Sequence, residues 1–340
     1  MAKRNGLDSL TFRTDPFFLF PLIDEHLDTL FVDRDEQIKI IRGILKIHFN
    51  VTIEICAVIG GIGIGKSSML NYIGRLAMEN GFKVERLDNP DDYPIGRDST
   101  RSETVAVLID DVDKMDDEHA IKFYTKLGRN PPEGQMIFFT DTYERSPAAI
   151  HLRQYTISQH ITLPQRLEKD RLKFFLEERM KRCLSKGSEF AFPIDEAAIE
   201  MASIRSRGNL RSFINYIKHG WMVASGGEMD RLGPNELRSG MISIDRALFA
   251  GCDAIDMRIL WFSTVGDMNQ AFLAHQSAID SKTLVSRING RLQDFIDIQK
   301  DGKEIFISSI YKHISGGQKI LAEIIKGLGS RLPEITGSKE

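Results

Sequence analysis

The stretch GGIGIGKSSM at positions 60–69, directly after the apolar run IEICAVI at 53–59, constrains the fold more than any other part of the chain. Residues 60–67 match the spacing G-x-x-x-x-G-K-[ST]. The run before them is the continuous apolar type that forms a strand covered on both faces. The pattern after them is helical from Ser67 to about Asn80, and Gly81 is a stop signal. Strand, glycine loop and helix in that order make a cradle for phosphate, because glycines let successive N–H groups turn inward and the helix N-terminus favours negative charge. Gly60, Gly61, Ile62, Gly63, Ile64 and Gly65 supply the loop, with Lys66 reaching the outer phosphates and Ser67 and Ser68 opening the helix. The expected occupants are ATP and Mg²⁺, with the Ser67 hydroxyl on the metal. The bland alternative is a glycine-rich turn between strand and helix.

A phosphate loop of this type needs an acidic partner at the end of a neighbouring apolar strand. AVLIDDVDKM (106–115) supplies one. Asp110 is the expected second metal ligand, holding Mg²⁺ through water, and Asp111 the expected base orienting the attacking water. Acidic residues in such a place also serve as solvated caps of the next helix.

The surrounding pattern alternates strand and helix. FKVERL (82–87), TVAVLI (104–109) and QMIFFT (135–140) read as further strands, with a polar loop over 88–103, a helix around 117–128 and a turn at NPPEG. Ahead of them, DRDEQIKIIRGILKIHF carries Ile38, Ile41, Leu45 and Phe49 at helical spacing. This order predicts an α/β sandwich with a parallel sheet. Strands stop at about 163, and two helical segments follow, broken by KGSEFAFP. A boundary falls in the Gly-rich, charged segment 225–240. Near the end, DFIDIQKDGKEIFISS places two alternating runs around Asp-Gly, a strong hairpin signal.

Composition narrows the setting. A formal net charge of −3 excludes a generally basic nucleic-acid binder, so any DNA contact has to come from a local patch. No apolar stretch reaches the roughly 18–20 residues that span a bilayer, and MAKRNGLDSL has no apolar signal core behind it. Cys56, Cys183 and Cys252 are scattered and outside metal-type spacing, which fits reduced thiols of a cytoplasmic protein.

From about Leu30 to Ala224 the motif order resembles the AAA+ ATPases, and within them the initiator clade of archaeal origin-recognition type and its bacterial relatives. FVDRDEQIKII resembles the family's entry segment, which lies beside the adenine. IFFTDT occupies the place of the first sensor, where the family usually has Asn and this chain offers Thr140 and Asp141. Arg153 in AAIHLRQY matches the region that projects an arginine finger into the neighbouring subunit, with Arg145 as a competitor. SRGNLRSFI resembles the second sensor, which makes Arg211 the lid's nucleotide contact. The resemblance implies a P-loop NTPase αβα sandwich over 30–162 behind a lead segment 1–29, and an α-helical lid over 163–228.

Over 240–330 the order of helices, basic helix and hairpin is similar to the winged helix of archaeal initiators. There Lys282, Arg287 and Arg291 of the last helix, with Lys300 and Lys303 flanking the hairpin tip, are the expected contacts to double-stranded DNA. Winged helices also dock proteins, and Asp294, Asp297, Asp301 and Glu304 crowd the same region. The implied function is an ATP-hydrolysing, oligomerising, DNA-associated switch of the initiator or loader kind, with no membrane role. A transposition-regulator ATPase, a defence or signalling ATPase with a protein-docking winged helix, and a chain holding ATP structurally are the alternatives.

Overall fold

The computed structural model describes residues 12–47, 53–87, 89–93, 104–129, 135–185, 190–227, 229–301 and 304–328. Phe49, the NPPEG turn, most of the polar loop before 104, the hairpin glycine and Lys303 lie outside the described residues. The chain forms two compact units: residues 11–190 with 209–212, and 191–208 with the chain from 213 onward.

The first unit begins with α1 (Asp24–Leu30) and α2 (Asp35–Ile47), followed by β1 (Ile53–Ile59), α3 (Lys66–Glu79), β2 (Lys83–Leu87), β3 (Val105–Ile109), α4 (Asp117–Arg129), β4 (Gln135–Asp141), α5 (Pro147–Thr156), β5 (Gln159–Thr162) and α6 (Lys169–Cys183). The five strands form one sheet in the order β2-β3-β4-β1-β5, and every neighbouring pair is parallel. The αβα expectation is therefore met. Each parallel connection needs a crossover; α3, α4 and α5 supply those from β1 to β2, β3 to β4 and β4 to β5, while most of the link from β2 to β3 lies outside the described residues.

Both faces of the sheet are buried, which is why its central strands are continuous apolar runs rather than alternating ones. Ile55, Ala57, Val107, Ile137 and Phe139 point to one face, where Phe123, Tyr124 and Leu127 of α4 and Ala149 of α5 cover them. Cys56, Val58, Leu108, Met136 and Phe138 alternate with these and are equally buried. β5 has no apolar run to announce it: in QHIT only Ile161 is buried, as befits an edge strand paired on one side. The start of α5 follows its sequence signal. Ser146 caps α5 by accepting from the N–H of Ala149, with Pro147 at the first turn.

The second unit carries α7 (Glu196–Ser206), most of α8 (Leu210–Gly226), α9 (Pro234–Phe249), α10 (Ala254–Val265), β6 (Met268–Asn269), α11 (Gln270–Gln276), α12 (Ser281–Asn289), β7 (Ile296–Asp301), β8 (Glu304–Ser309) and α13 (Gly317–Gly327). β7 and β8 form the antiparallel hairpin, and β6 adds a third strand in the order β6-β8-β7. Among the described residues no helix is long and apolar enough to cross a membrane. Cys56 and Cys183 are buried, Cys252 is half-buried, and all three are free thiols.

The core of this unit contains a charge. Asp245 of α9 is fully buried and receives Arg205 of α7 through Nε (3.1 Å) and an η nitrogen (2.8 Å), the Tyr216 hydroxyl of α8 (2.9 Å) and the Tyr311 hydroxyl (2.6 Å). The guanidinium also lies 4.5 Å from the ring centroid of Phe295. Four donors on one carboxylate satisfy its lone pairs, which is what makes a buried ion pair tolerable. Asp245→Ala is expected to cost about 3–5 kcal/mol by stranding Arg205, while the apolar double replacement Arg205→Met with Asp245→Leu recovers most of it. Urea unfolding of the full chain, followed by circular dichroism, checks both.

Candidate nucleotide site

The site is set by sheet register. β1 and β3 both pair with β4, so Ile59 stands opposite Asp141 and Ile109 opposite Phe139. The phosphate loop leaves the end of β1, the acidic loop leaves the end of β3, and Thr140 lies between them.

The loop's geometry matches its residue types. A Cβ at Gly61 would sit 1.9 Å from the carbonyl oxygen of Gln165, so only glycine fits there. Gly65, immediately before α3, has φ of 101°, a left-handed conformation that side chains disfavour. Lys66 is buried, and its Nζ donates to the carbonyls of Gly60 (3.0 Å) and Gly61 (2.8 Å). It also pairs with Asp113 at 3.1 Å.

The acidic side converges on the same point. The Ser67 hydroxyl donates to Asp110 Oδ1 (3.2 Å), as does the Thr140 hydroxyl (3.0 Å), which also reaches Asp113 Oδ1 (3.2 Å). Asp110, Asp111 and Asp113 each bring a carboxylate oxygen within 4.8 Å of the others. An oxygen-seeking divalent cation fits this donor set, since Ser67 and Asp110 already lie within hydrogen-bonding distance. Asp111 has a left-handed φ of 64°, sparsely populated for a non-glycine residue, and its carboxylate meets the exposed Lys114 at 2.7 Å. Arg86, at the end of β2, reaches Asp110 Oδ2 at 3.3 Å and also donates to Asn71.

Asp113 and Arg86 are absent from the sequence expectations. Asp113 was legible as the last acid of DDVD, but nothing in spacing distinguishes it from a solvated cap. Its partner Lys66 is what identifies it.

Asp141 and Arg153 depart from expectation. Asp141 is fully buried, accepting from Tyr124 (2.6 Å), Arg145 (3.1 Å), Arg153 (2.8 Å) and the N–H of Thr142 (2.8 Å). Of the two sensor candidates, Thr140 is the one that touches the acidic loop. Arg153 also donates to the Thr142 carbonyl (2.7 Å) and is only 6% exposed. An arginine serving a neighbour needs a guanidinium free of its own chain, so the expected outward projection is not the conformation found. The competitor Arg145 is likewise engaged, donating to the carbonyls of Val112 and Met115.

An apolar cleft borders the phosphate loop, lined by Leu30 at the end of α1, Val32 and Arg34 of the entry segment, Ile64 of the loop, and Phe175 and Arg179 of α6. This is where the entry segment was expected to meet the base. Arg34 donates to the Ile64 carbonyl (3.0 Å), and Arg179 to the Leu30 carbonyl (2.9 Å). Burial lowers the pKa of both guanidinium groups, to about 9 for Arg179. Asn209 donates to the Ile62 carbonyl (2.9 Å), and the Arg211 N–H to that of Gly63 (3.3 Å). The side chain of Arg211 is exposed.

The basic residues expected on DNA divide into two groups. Arg287 of α12 is tied to Asp253 (2.8 Å) and Asp256 (2.6 Å), and Arg291 to Asp256 (3.5 Å) and the Gly251 carbonyl (3.3 Å). Lys282 and Lys300 are exposed.

The two sensor candidates separate experimentally. Asp141→Asn is expected to lower stability by about 3–5 kcal/mol, because two buried arginines lose their anion. Thr140→Val is expected to cost about 1 kcal/mol while lowering nucleotide turnover. Thermal unfolding and turnover measured on both variants distinguish the roles.

No family model and no curated protein matches the sequence. Solved structures do match, over nearly the whole chain. The ORC1 protein of Aeropyrum pernix, solved in complex with DNA, superposes with a TM-score of 0.56 at 9% identity, covering 96% of this chain and 98% of that one. The ORC2 protein of the same organism, solved as ADPNP-ADP complexes, gives 0.53 at 14% identity, covering 94% of this chain and 98% of that one. With a five-stranded parallel sheet and a phosphate loop at its centre, the chain has the fold of the archaeal origin-recognition AAA+ ATPases.

Proposed function

We propose that the chain binds and hydrolyses ATP and works as a nucleotide-controlled switch on DNA, of the replication-initiator or helicase-loader kind. One observation carries the reading: Lys66, Ser67, Asp110, Asp113 and Thr140, from three separate strand ends, form one connected hydrogen-bond network at the phosphate loop. Lys66 is the phosphate ligand, exchanging the carbonyls of Gly60 and Gly61 for phosphate oxygens. Ser67 and Asp110 are the residues that hold Mg²⁺, which supplies charge neutralisation of the phosphates. Asp111 orients the attacking water and takes its proton, and its strained backbone fits a functional position. Asp113 and Thr140 position Lys66 and Asp110. The apolar cleft beside Arg34 receives the base.

Double-stranded DNA as partner is supported by the fold shared with a protein solved on DNA. The element order α10, β6, α11, α12, β7, β8 supports reading this segment as a winged helix, with Lys282 and Lys300 its cations without a carboxylate partner among the described residues. A second reading, in which this module docks a protein, draws on Arg287 and Arg291 being neutralised by Asp253 and Asp256. Assembly into an oligomer with shared sites belongs to the same proposal. A trans contribution from Arg153 requires its release from Asp141.

The test is ATP hydrolysis by the full chain with and without duplex DNA. Lys66→Ala is expected to abolish binding, and Asp111→Asn to retain binding while losing turnover at least 100-fold, the scale of general-base catalysis. Asp113→Asn is expected to weaken both. Turnover that ignores DNA would move the reading to protein docking, and absence of turnover in the wild type would leave a structural nucleotide.

A further inference from the structure

The exposed face of α2 carries Lys39, Arg42 and Lys46. At spacings of three and four residues they share one stripe of the helix. Many cations among the described residues have an anion, including Arg287 of α12 and Arg291 just after it, which Asp253 and Asp256 neutralise. Among the described residues these three have none: no carboxylate pairs with them, and the acids of α2, Asp35 and Glu36, are confined to its first turn.

The stripe surrounds a gap. Gly43 sits between the three cations, and a Cβ built on it meets nothing within 4 Å. Nothing among the described residues requires glycine there, although a mid-helix glycine costs about 1 kcal/mol relative to alanine. Glycine at such a cost is expected where another molecule approaches the backbone closely. The gap opens into a groove bordered by Asp35, Ile38, the three cations and Tyr72 of α3. Tyr72 is held by a stack on Phe31 at 4.7 Å.

We propose that this groove, with Lys39, Arg42 and Lys46 around Gly43, binds the sugar-phosphate backbone of duplex DNA, at a site in the ATPase unit additional to the C-terminal hairpin module. The proposal rests on the DNA-associated reading above. Charge complementarity selects the occupant: the seven helical steps from Lys39 to Lys46, at about 1.5 Å each, span about 10 Å, or three steps of about 3.4 Å rise along one strand, so the three cations reach phosphates within one run of four. The site is placed to sense nucleotide. Tyr72 lies on the helix that begins at Lys66, and Arg34, just before α2, holds the Ile64 carbonyl of the phosphate loop. Backbone contact gives no base discrimination, so this site sets affinity and not sequence choice.

The experiment measures binding of a fluorescein-labelled duplex of arbitrary sequence to the full chain by anisotropy, from 50 to 200 mM salt. The wild type is compared with the triple variant Lys39→Ala, Arg42→Ala, Lys46→Ala, with Gly43→Leu, and with Lys282→Ala/Lys300→Ala. Loss of three phosphate contacts makes the log–log salt slope shallower by about 2.7, so affinity changes about 40-fold less across that range. Gly43→Leu, which alters no charge, is expected to weaken binding several-fold by filling the gap. Nucleotide affinity and melting temperature stay at wild-type values in the triple variant, whose side chains are exposed. A steep wild-type slope that persists in the triple variant overturns this site and leaves the DNA reading standing. No duplex binding by the wild type overturns both. A triple variant that keeps duplex binding but loses binding of a poly-glutamate peptide overturns the DNA assignment in favour of an acidic protein partner.

Discussion

The buried carboxylate of Asp141 is the fixed point of the first unit. It ends the strand that lies between the phosphate loop's strand and the acidic strand, and an isolated anion there would be prohibitively costly to desolvate. Tyr124, Arg145 and Arg153 bring donors to it from α4, from the loop after β4 and from α5. Arg145 extends the network to the carbonyls of Val112 and Met115. The position of the acidic loop, and hence of Asp110 and Asp113, follows from this hub. Charges removed from water order a loop that has few apolar residues to hold it.

Around the hub, the phosphate site is arranged so that few groups lack a partner. Lys66 folds back on two loop carbonyls and Asp113, and Thr140 bridges Asp110 and Asp113. Such a network is high-stakes, since each buried polar group is costly only when its partner is missing. On the reading proposed above, a triphosphate would bring oxygens enough to replace the carbonyls, trading one satisfied arrangement for another. The entry segment is part of the same construction: Arg34 and Arg179 bond main-chain carbonyls around the apolar cleft, and Arg179 also lies over the Phe175 ring at 4.6 Å.

Most of the first unit's fold was legible because its signals are local. A buried parallel strand must be apolar on both faces, so IEICAVI, TVAVLI and QMIFFT could be assigned before any contact was known. The phosphate loop was legible because glycine and lysine are needed at fixed offsets. Features set by distant partners were not. Arg153 resembles a surface arginine until Asp141, on a different element, is seen to claim it. Asp113 resembles a helix cap until Lys66 reaches it. Arg287 and Arg291 read as a basic face, yet Asp253 and Asp256 neutralise them from α10. β5 pairs on one side only and needs a single inward isoleucine, too little for a pattern to register. Sequence periodicity reports which face is buried, but it does not report which charges meet.

The strand order carries a consequence for how the chain is made. β1 leads into the phosphate loop, yet its neighbours are β4 and β5, so that Ile53 pairs with Gln135 and Cys56 with Gln159. Closing contacts over such separations is entropically demanding and slow. During synthesis the glycine loop therefore emerges attached to a strand with no sheet to join. The nucleotide site comes into being only after the far strands have been translated, and until then IEICAVI is an unpaired apolar segment of the kind that chaperones recognise.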